Sequence, residues 1–179
     1  DVLQRLHANR AEIDIHFKYF IEKTAPITGL KSVLDYDCSF TGYLVQGERL
    51  EFTLGAAVPF TSLCPCSKEI SAAGAHNQRG VMRVRLRQCP GTFTWIEDLV
   101  SLLEAQASCP VFPLLKREDE KYVTERAYEN PKFVEDVLRD MVLALRGIRG
   151  VSWFEAECET FESIHNHNAY AYHVEDSHT

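Results

Sequence analysis

The sequence has no long apolar run, and this excludes a membrane-spanning helix, which needs about 18–20 consecutive apolar residues. Glycine and proline are sparse, nine and seven among 179 residues, so the chain is neither collagen-like nor of low complexity. Basic residues are outnumbered by acidic ones, 19 to 26, which argues against broad binding to nucleic-acid phosphates. The composition that remains is that of one ordinary folded domain.

Cysteine is also too sparse for a small secreted domain held together by disulfides, because six cysteines are spread over 179 residues. We therefore predict a reducing environment and a cytoplasmic location. Hydrophobic residues make up 45% of the chain, which is enough for a single hydrophobic core.

Strands are predicted wherever apolar and polar residues alternate with a period of two. Residues 11–19 show this alternation clearly and predict a half-buried strand. Further extended stretches are predicted at residues 31–45, 49–58, from Arg79 onward, 150–162 and 168–174. Their succession indicates an antiparallel sheet.

Two helices are predicted between these strands. Apolar residues recur at helical spacing over residues 95–107. A second helix is predicted with Asn130 as N-cap, Pro131 as its first residue and Gly147 at its end. Strands, then helices, then strands again predict an α+β fold with the helices packed on one face of the sheet.

A Cys64-Pro-Cys66 sequence lies in residues 61–70, which we interpret as an irregular connection between two strands. Two such thiols are compatible with simple packing as well as with metal binding. Ten residues later, a polar loop bounded by glycines at 74 and 80 contains one histidine, His76.

Near the C-terminus, His165 and His167 are two residues apart, so on an extended backbone both face one side, with Glu162 close by. They are compatible with metal ligation, proton transfer or a solvated edge. A metal site built on them would need a cysteine and a carboxylate from residues 118–120. Such a mixed set of S, N and O donors suits zinc or a similar divalent ion.

Glu135 lies at the margin of the apolar stripe of the second predicted helix, which predicts partial burial. A solvated boundary residue is the alternative. Arg83, Arg85 and Arg87 share one face of a predicted strand. They could bind a polyphosphate or form an exposed, solubilising face.

Four segments together resemble the type IB GTP cyclohydrolases, which are metal-dependent enzymes of folate biosynthesis. These segments are SLCPCSKEIS, GAHNQRG, FPLLKREDEKYVTERAYENPKFVEDVLRD and ESIHNHNAYA, and AEIDIHFKYFIEKTAP extends the likeness toward the N-terminus. The resemblance implies a tunnelling fold (T-fold) that forms an oligomeric barrel, here a homotetramer with active sites at subunit interfaces. It also implies that residues 1–179 form a single catalytic domain that lacks the N-terminal portion usual in the family.

The resemblance further assigns roles to residues of the four segments. It implies one divalent metal per site, Zn, Mn or Fe, with Cys64, His76, Glu120 and His165 as ligands, and Glu118 as the alternative carboxylate. Glu135 would anchor the purine ring. Cys66, His167 and Glu162 would serve in proton transfer or alternative ligation, and the basic candidates for the triphosphate are Lys68, Arg79, Lys116 and Arg117.

The implied reaction is hydrolysis of GTP to 7,8-dihydroneopterin triphosphate and formate. A metal-bound hydroxide would attack C8 of guanine, and proton transfers would accompany each later step. Two alternatives remain open at this point. One is a sister enzyme of the same fold, either a cyclohydrolase that forms a cyclic phosphate or a deazaguanine nitrile reductase. The other is a non-catalytic module that a metal staples together.

Overall fold

The computed structural model describes residues 2–176, so residue 1 and residues 177–179 of the predicted domain lie outside the described residues. Its strands are β1 Arg10–Thr24, β2 Lys31–Val45, β3 Glu51–Leu63, β4 Asn77–Gln88, β5 Cys109–Pro110, β6 Val151–Thr160 and β7 Ala169–Asp176. Its helices are α1 Val2–Leu6, α2 Pro65–Ile70, α3 Ile96–Glu104, α4 Arg117–Glu129 and α5 Val134–Arg146. None of these helices is long and apolar enough to cross a membrane.

All seven described strands belong to one open antiparallel sheet in the order β1-β2-β3-β4-β6-β7, with the short β5 also paired to β3. Each neighbouring pair is antiparallel, as the alternating sequence patterns predict. The helices pack on one side of this sheet. The predicted α+β class with helices on one face is therefore confirmed.

The core lies between the centre of the sheet and helices α3 and α5. Both helices place an apolar stripe against the sheet, as their helical spacing predicts. The largest fully buried side chains include Phe60, Met82, Leu86 and Phe154 of the sheet and Leu99, Leu103, Met141 and Leu145 of the helices. Burying one such side chain contributes roughly 1.5–3 kcal/mol, so this interface fixes how the helices lie on the strands.

The opposite face of the sheet carries a row of ion pairs. The three arginines of β4 share one face, as the sequence predicts, and each forms an ion pair with a glutamate on a neighbouring strand. The pairs are Arg83–Glu159 at 3.2 Å, Arg85–Glu155 at 3.2 Å and Arg87–Glu51 at 2.9 Å. Because their charges are already paired, these arginines favour the solubilising-face interpretation over polyphosphate binding.

The predicted start of the second helix is wrong, and helices α2 and α4 were not predicted. Asn130 caps the C-terminus of α4, and the next helix begins at Val134 with Phe133 as N-cap. Helix α4 is mostly charged and buries little beyond Ala127 and Asp119, so it lacks the apolar period that reveals a helix. The side-chain amide of Asn130 donates a hydrogen bond to the backbone carbonyl of Ala107 instead of capping the start of a helix.

Strand β1 is longer than predicted and only partly buried. Phe17, Tyr19 and Ile21 pack against the core, whereas Ile13 and Ile15 remain about half exposed. A half-buried strand has one buried face, and this prediction is therefore wrong for the first part of β1, where the apolar face is largely exposed. The alternation gives the side on which the apolar residues lie, but only the placement of the helices decides whether that side is covered.

Gly80 of β4 has no room for a side chain, because backbone and a buried ring lie against it. A Cβ there would lie 2.5 Å from the carbonyl oxygen of Glu159 and 2.5 Å from a ring carbon of Phe60. We expect Gly80→Ala to lower the free energy of unfolding by about 1–3 kcal/mol, measured by urea denaturation.

Gly42→Ala is the matched control, because its added Cβ would meet only Leu50, at an ordinary 3.6 Å. We expect a change of no more than about 0.5 kcal/mol there. Equal denaturation midpoints for the two variants would contradict the packing argument.

Candidate functional site

Several strand ends meet at one end of the sheet, and the predicted site residues follow or precede them. Leu63 at the end of β3 pairs with Asn77 at the start of β4. Thr160 at the end of β6 pairs with Gly80 of β4 and with Ala169 at the start of β7. This register collects the segments that contain residues 64–66, 76–78 and 162–167.

Cys64 lies at the N-terminus of helix α2, a segment that the sequence predicted to be irregular. The helix forms because Pro65 suits the first helical position, where no backbone N–H is required. The Cys64 sulfur accepts a hydrogen bond from the backbone N–H of Ser67 at 3.4 Å, which fixes its direction. Cys66 lies two residues after Cys64, within the helix, and is exposed.

His76 is held against the same segment from both sides of its backbone. Its N–H donates to the Ser67 hydroxyl at 3.1 Å, and its carbonyl accepts from the Cys64 N–H at 3.2 Å. Its ring Nδ1 lies 3.0 Å from the Gln78 side-chain oxygen. With that oxygen as acceptor, Nδ1 is the protonated nitrogen, so Nε2 keeps a free lone pair.

Gln78 connects His76 to Glu162 and was not predicted as a site residue. Its side-chain N–H donates to the Glu162 carboxylate at 3.2 Å, and the Thr160 hydroxyl donates to the same oxygen at 3.0 Å. The sequence contains the relevant signal, because positions 76 and 78 on an extended backbone share one face. The polar chain from His76 to Glu162 is therefore continuous.

His165 and His167 lie in a bent loop rather than on the predicted extended backbone. Their rings nevertheless stack, 5.1 Å apart and nearly parallel, so the two imidazoles do lie on one side. The end of this loop is held by Asn168, whose amide donates to Glu159 at 2.9 Å. This hydrogen bond, together with Arg83, holds the pKa of Glu159 below its ordinary value.

Asp119 is the buried carboxylate at the start of α4. It accepts hydrogen bonds from the N–H groups of Ile27 and Thr28, both at 2.9 Å, from the Thr28 hydroxyl at 2.7 Å and from the Lys116 N–H at 3.0 Å. Burial alone would raise its pKa, but these donors hold the pKa of Asp119 well below its usual range. Both oxygens are occupied, so of residues 118–120 only the exposed Glu118 and Glu120 have carboxylates left for a ligand.

The basic candidates differ in how firmly they are held. The Lys68 ammonium donates to the backbone carbonyl of Tyr128 and lies 4.3 Å from the centre of the Tyr128 ring. Its charge is thereby fixed against α4. Arg79, Lys116 and Arg117 are exposed, the first on β4 and the other two at the start of α4.

Glu135 lies in the first turn of α5 and is exposed, so the prediction of partial burial is wrong for the described chain. Its position explains this, because Val134 and Val137, not Glu135, point into the core. The carboxylate still lies near β6, since burial together with the charge of Glu135 raises the pKa of Cys158 to about 12.

No three His, Cys, Asp or Glu side chains within residues 2–176 approach closely enough to hold a metal ion. Cys64 and His76 are a pair of possible donors whose backbones are joined by a hydrogen bond, with the Nε2 lone pair of His76 free. The sulfur and nitrogen donors of this pair fit a zinc-like ion. Glu120 and His165 are not part of the same cluster in the described chain.

Fold and site together define an α+β protein whose thiol, imidazole and carboxylate groups collect at one end of an antiparallel sheet. A sequence model of the family described as "Type I GTP cyclohydrolase folE2" matches residues 1–171. The chain therefore belongs to this GTP cyclohydrolase family.

Curated relatives agree with this assignment. A GTP cyclohydrolase FolE2 of Geobacter sulfurreducens is 55% identical over 171 residues, which cover 96% of this chain and 65% of that protein. Proteins of the same name from Geobacter sp. and Azoarcus sp. are each 53% identical and are covered over 61% and 63% of their lengths. The chain thus spans less than two thirds of the length of these relatives.

The contacts of Asp119 predict a pH-dependent stability. Asp119→Asn should lower the midpoint of thermal unfolding at pH 7 by roughly 3–6 °C, because the amide group places an N–H against donors that need an acceptor. The folded pKa lies below the ordinary value of 3.8, so the stabilisation is fully present above about pH 4 and is lost as pH falls through the folded pKa.

The difference between wild type and Asp119→Asn should accordingly shrink below pH 4 in a calorimetric pH series. Asp98→Asn is the control, since Asp98 is an exposed acidic residue in the first turn of α3. A gap between wild type and Asp119→Asn that does not vary with pH would contradict the role of the ionised carboxylate.

Proposed function

We propose that the protein hydrolyses GTP to 7,8-dihydroneopterin triphosphate and formate, the first step of tetrahydrofolate biosynthesis. The observation that carries this proposal is the convergence of motif segments distant in sequence, 64–66, 76–78 and 162–167, at one end of the sheet. Membership of the GTP cyclohydrolase family supports it further. The six free thiols accord with a cytoplasmic, reducing environment.

In this proposal Cys64, His76, Glu120 and His165 hold one divalent ion, Zn, Mn or Fe. When bound, such an ion lowers the pKa of a coordinated water and so supplies hydroxide at neutral pH. Two features support this choice. His76 is oriented by Gln78 with Nε2 free, and Cys64 is joined to His76 by a backbone hydrogen bond while its sulfur accepts from the Ser67 N–H.

The substrate would be held at two points, its guanine edge and its triphosphate. Glu135 accepts hydrogen bonds from N1–H and the exocyclic amine of guanine, two adjacent donors that adenine lacks. Hydrolysis at C8 then opens the imidazole ring and releases formate. Cys66, His167 and Glu162 transfer the protons, and the triphosphate is bound by Lys68, Arg79, Lys116 and Arg117.

We propose that residues 1–179 form a T-fold catalytic domain and assemble as a homotetramer with active sites between subunits. The dispersal of the four proposed ligands within one chain supports sites completed by a neighbour. The long outer strand β1 supports it too, because its outer edge is unpaired within the described sheet and such an edge is a ready surface for pairing with another chain.

The metal requirement gives a direct test. Removing metal with a chelator should abolish formate release from GTP, and adding Mn or another divalent ion should restore it. Cys64→Ala should lose both metal and turnover, whereas Cys66→Ala should keep most of the metal and lose activity. Formate, oxidised fluorescent pterin and metal content are measured on the same samples.

Full activity in metal-free protein would show that hydroxide is generated in another way. Equal loss of metal in Cys66→Ala and Cys64→Ala would show that the two thiols have been assigned the wrong roles.

Glu135 gives a second test that does not involve the metal ligands. Glu135→Ala should reduce kcat/KM for GTP by roughly 30- to 150-fold, because it removes a bidentate, charge-assisted contact. Glu135→Gln keeps the shape without the charge and should also be strongly impaired, with normal metal content.

Steady-state kinetics and metal analysis check both variants, with Glu125→Gln as control, an exposed glutamate of α4 that pairs only with Lys121 among the described ion pairs. Wild-type kinetics in Glu135→Ala would place the purine anchor on another carboxylate.

A further inference from the structure

Lys132 lies in the short connection between α4 and α5 and uses all of its polar groups to tie other segments together. Its ammonium donates to the Gln106 carbonyl and to the Asp140 carboxylate, both at 2.7 Å. Its backbone N–H donates to the Leu63 carbonyl and its carbonyl accepts from the Ser62 hydroxyl, both at 3.2 Å.

These contacts join the two halves of the proposed site. Leu63 immediately precedes Cys64, and Glu135 follows Lys132 by three residues in the first turn of α5. Lys132 thus lies between the segment that presents the proposed metal-binding thiol and the helix that presents the proposed purine anchor. The connection at Lys132 therefore links the segment of the thiol to the helix of the carboxylate.

The connection is held by buried, directional contacts rather than by surface charge alone. The Lys132 side chain is only 16% exposed, so its ammonium relies on the Gln106 and Asp140 oxygens in place of water. A second tie is made by Asn130, whose amide donates to the Ala107 carbonyl at 2.9 Å. The start of α5 is therefore fixed to both the end of α3 and the end of β3.

We propose that Lys132 is a positioning residue that holds Glu135 at the distance from Cys64 that guanine requires. The role rests on the proposed function, because it matters only where Glu135 binds the purine. Small displacements are costly in such sites, since a shift of about 1 Å can reduce the rate roughly 100-fold.

A residue that only stabilises the fold would behave differently from one that acts through Glu135. Two independent effects multiply in a double variant, whereas a positioning effect disappears once the positioned group is removed. The double-mutant cycle of Lys132 with Glu135 therefore separates the two roles.

The experiment compares wild type, Lys132→Met, Glu135→Ala and the double variant in the complete protein. Methionine keeps the aliphatic stem of the lysine and removes its donors. Lys132→Met should reduce kcat/KM for GTP by roughly 10- to 100-fold with normal metal content. In the Glu135→Ala background the same change should cost no more than about 3-fold.

Three further variants complete the design. Lys121→Met is the matched control, a 73% exposed lysine on α4, and should leave the kinetics unchanged. Lys132→Arg keeps a charged donor and should recover most of the activity lost in Lys132→Met. Asp140→Asn weakens the same contact and replaces Lys132→Met in the cycle if that variant does not fold.

Binding of a non-hydrolysable GTP analogue is measured by calorimetry on the same proteins. Its dissociation constants give the double-mutant cycle for binding alone, independently of turnover. Multiplicative losses in that cycle, or wild-type binding by Lys132→Met, would overturn the positioning role. Absence of GTP turnover in the wild type, with coupling still present in the binding cycle, would instead contradict the proposed function and leave the positioning role standing.

Discussion

The register of the three central strands is the constraint on which the remainder of the structure depends. Pairing of Leu63 with Asn77 and of Gly80 with Thr160 brings three chain segments to one end of the sheet. The Gly80 backbone lies so close to Phe60 and Glu159 that only a glycine fits at this position of the register. A slip by one residue would also invert every side chain between the core and the ion-paired face.

The fold could be predicted largely from periodicity, because the strands and helices α3 and α5 bury regular apolar faces. Helix α4 could not, since its packing depends on one alanine and on the polar anchor Asp119, and neither produces an apolar period. Asn130 shows a related difficulty. An asparagine followed by proline is typical of a helix start, but here a tertiary contact with Ala107 places it at a helix end.

The candidate site was predictable to a different extent. Cys64, His76 and Glu162 were singled out by residue type and motif, and the structure brings their segments together. Gln78, which contacts His76 and Glu162, and Lys132, which joins the end of β3 to α5, are ordinary polar residues whose contacts are with distant parts of the chain. The sequence shows which side chains are chemically reactive, whereas the residues that hold those side chains in place become visible only in the folded chain.

The row of arginine–glutamate pairs on the open sheet face has a consequence for how the proposed substrate, an anionic nucleotide, would approach. Because each of these pairs is neutral overall, the three arginines present no unpaired positive charge to an approaching anion, and the formal charge of −7 is carried by the other residues of the chain. The long-range field of the chain therefore repels a polyphosphate, and attraction begins only near unpaired bases such as Arg79. Added salt screens this repulsion, with a Debye length of about 8 Å at physiological ionic strength, so the encounter rate rises with ionic strength instead of falling.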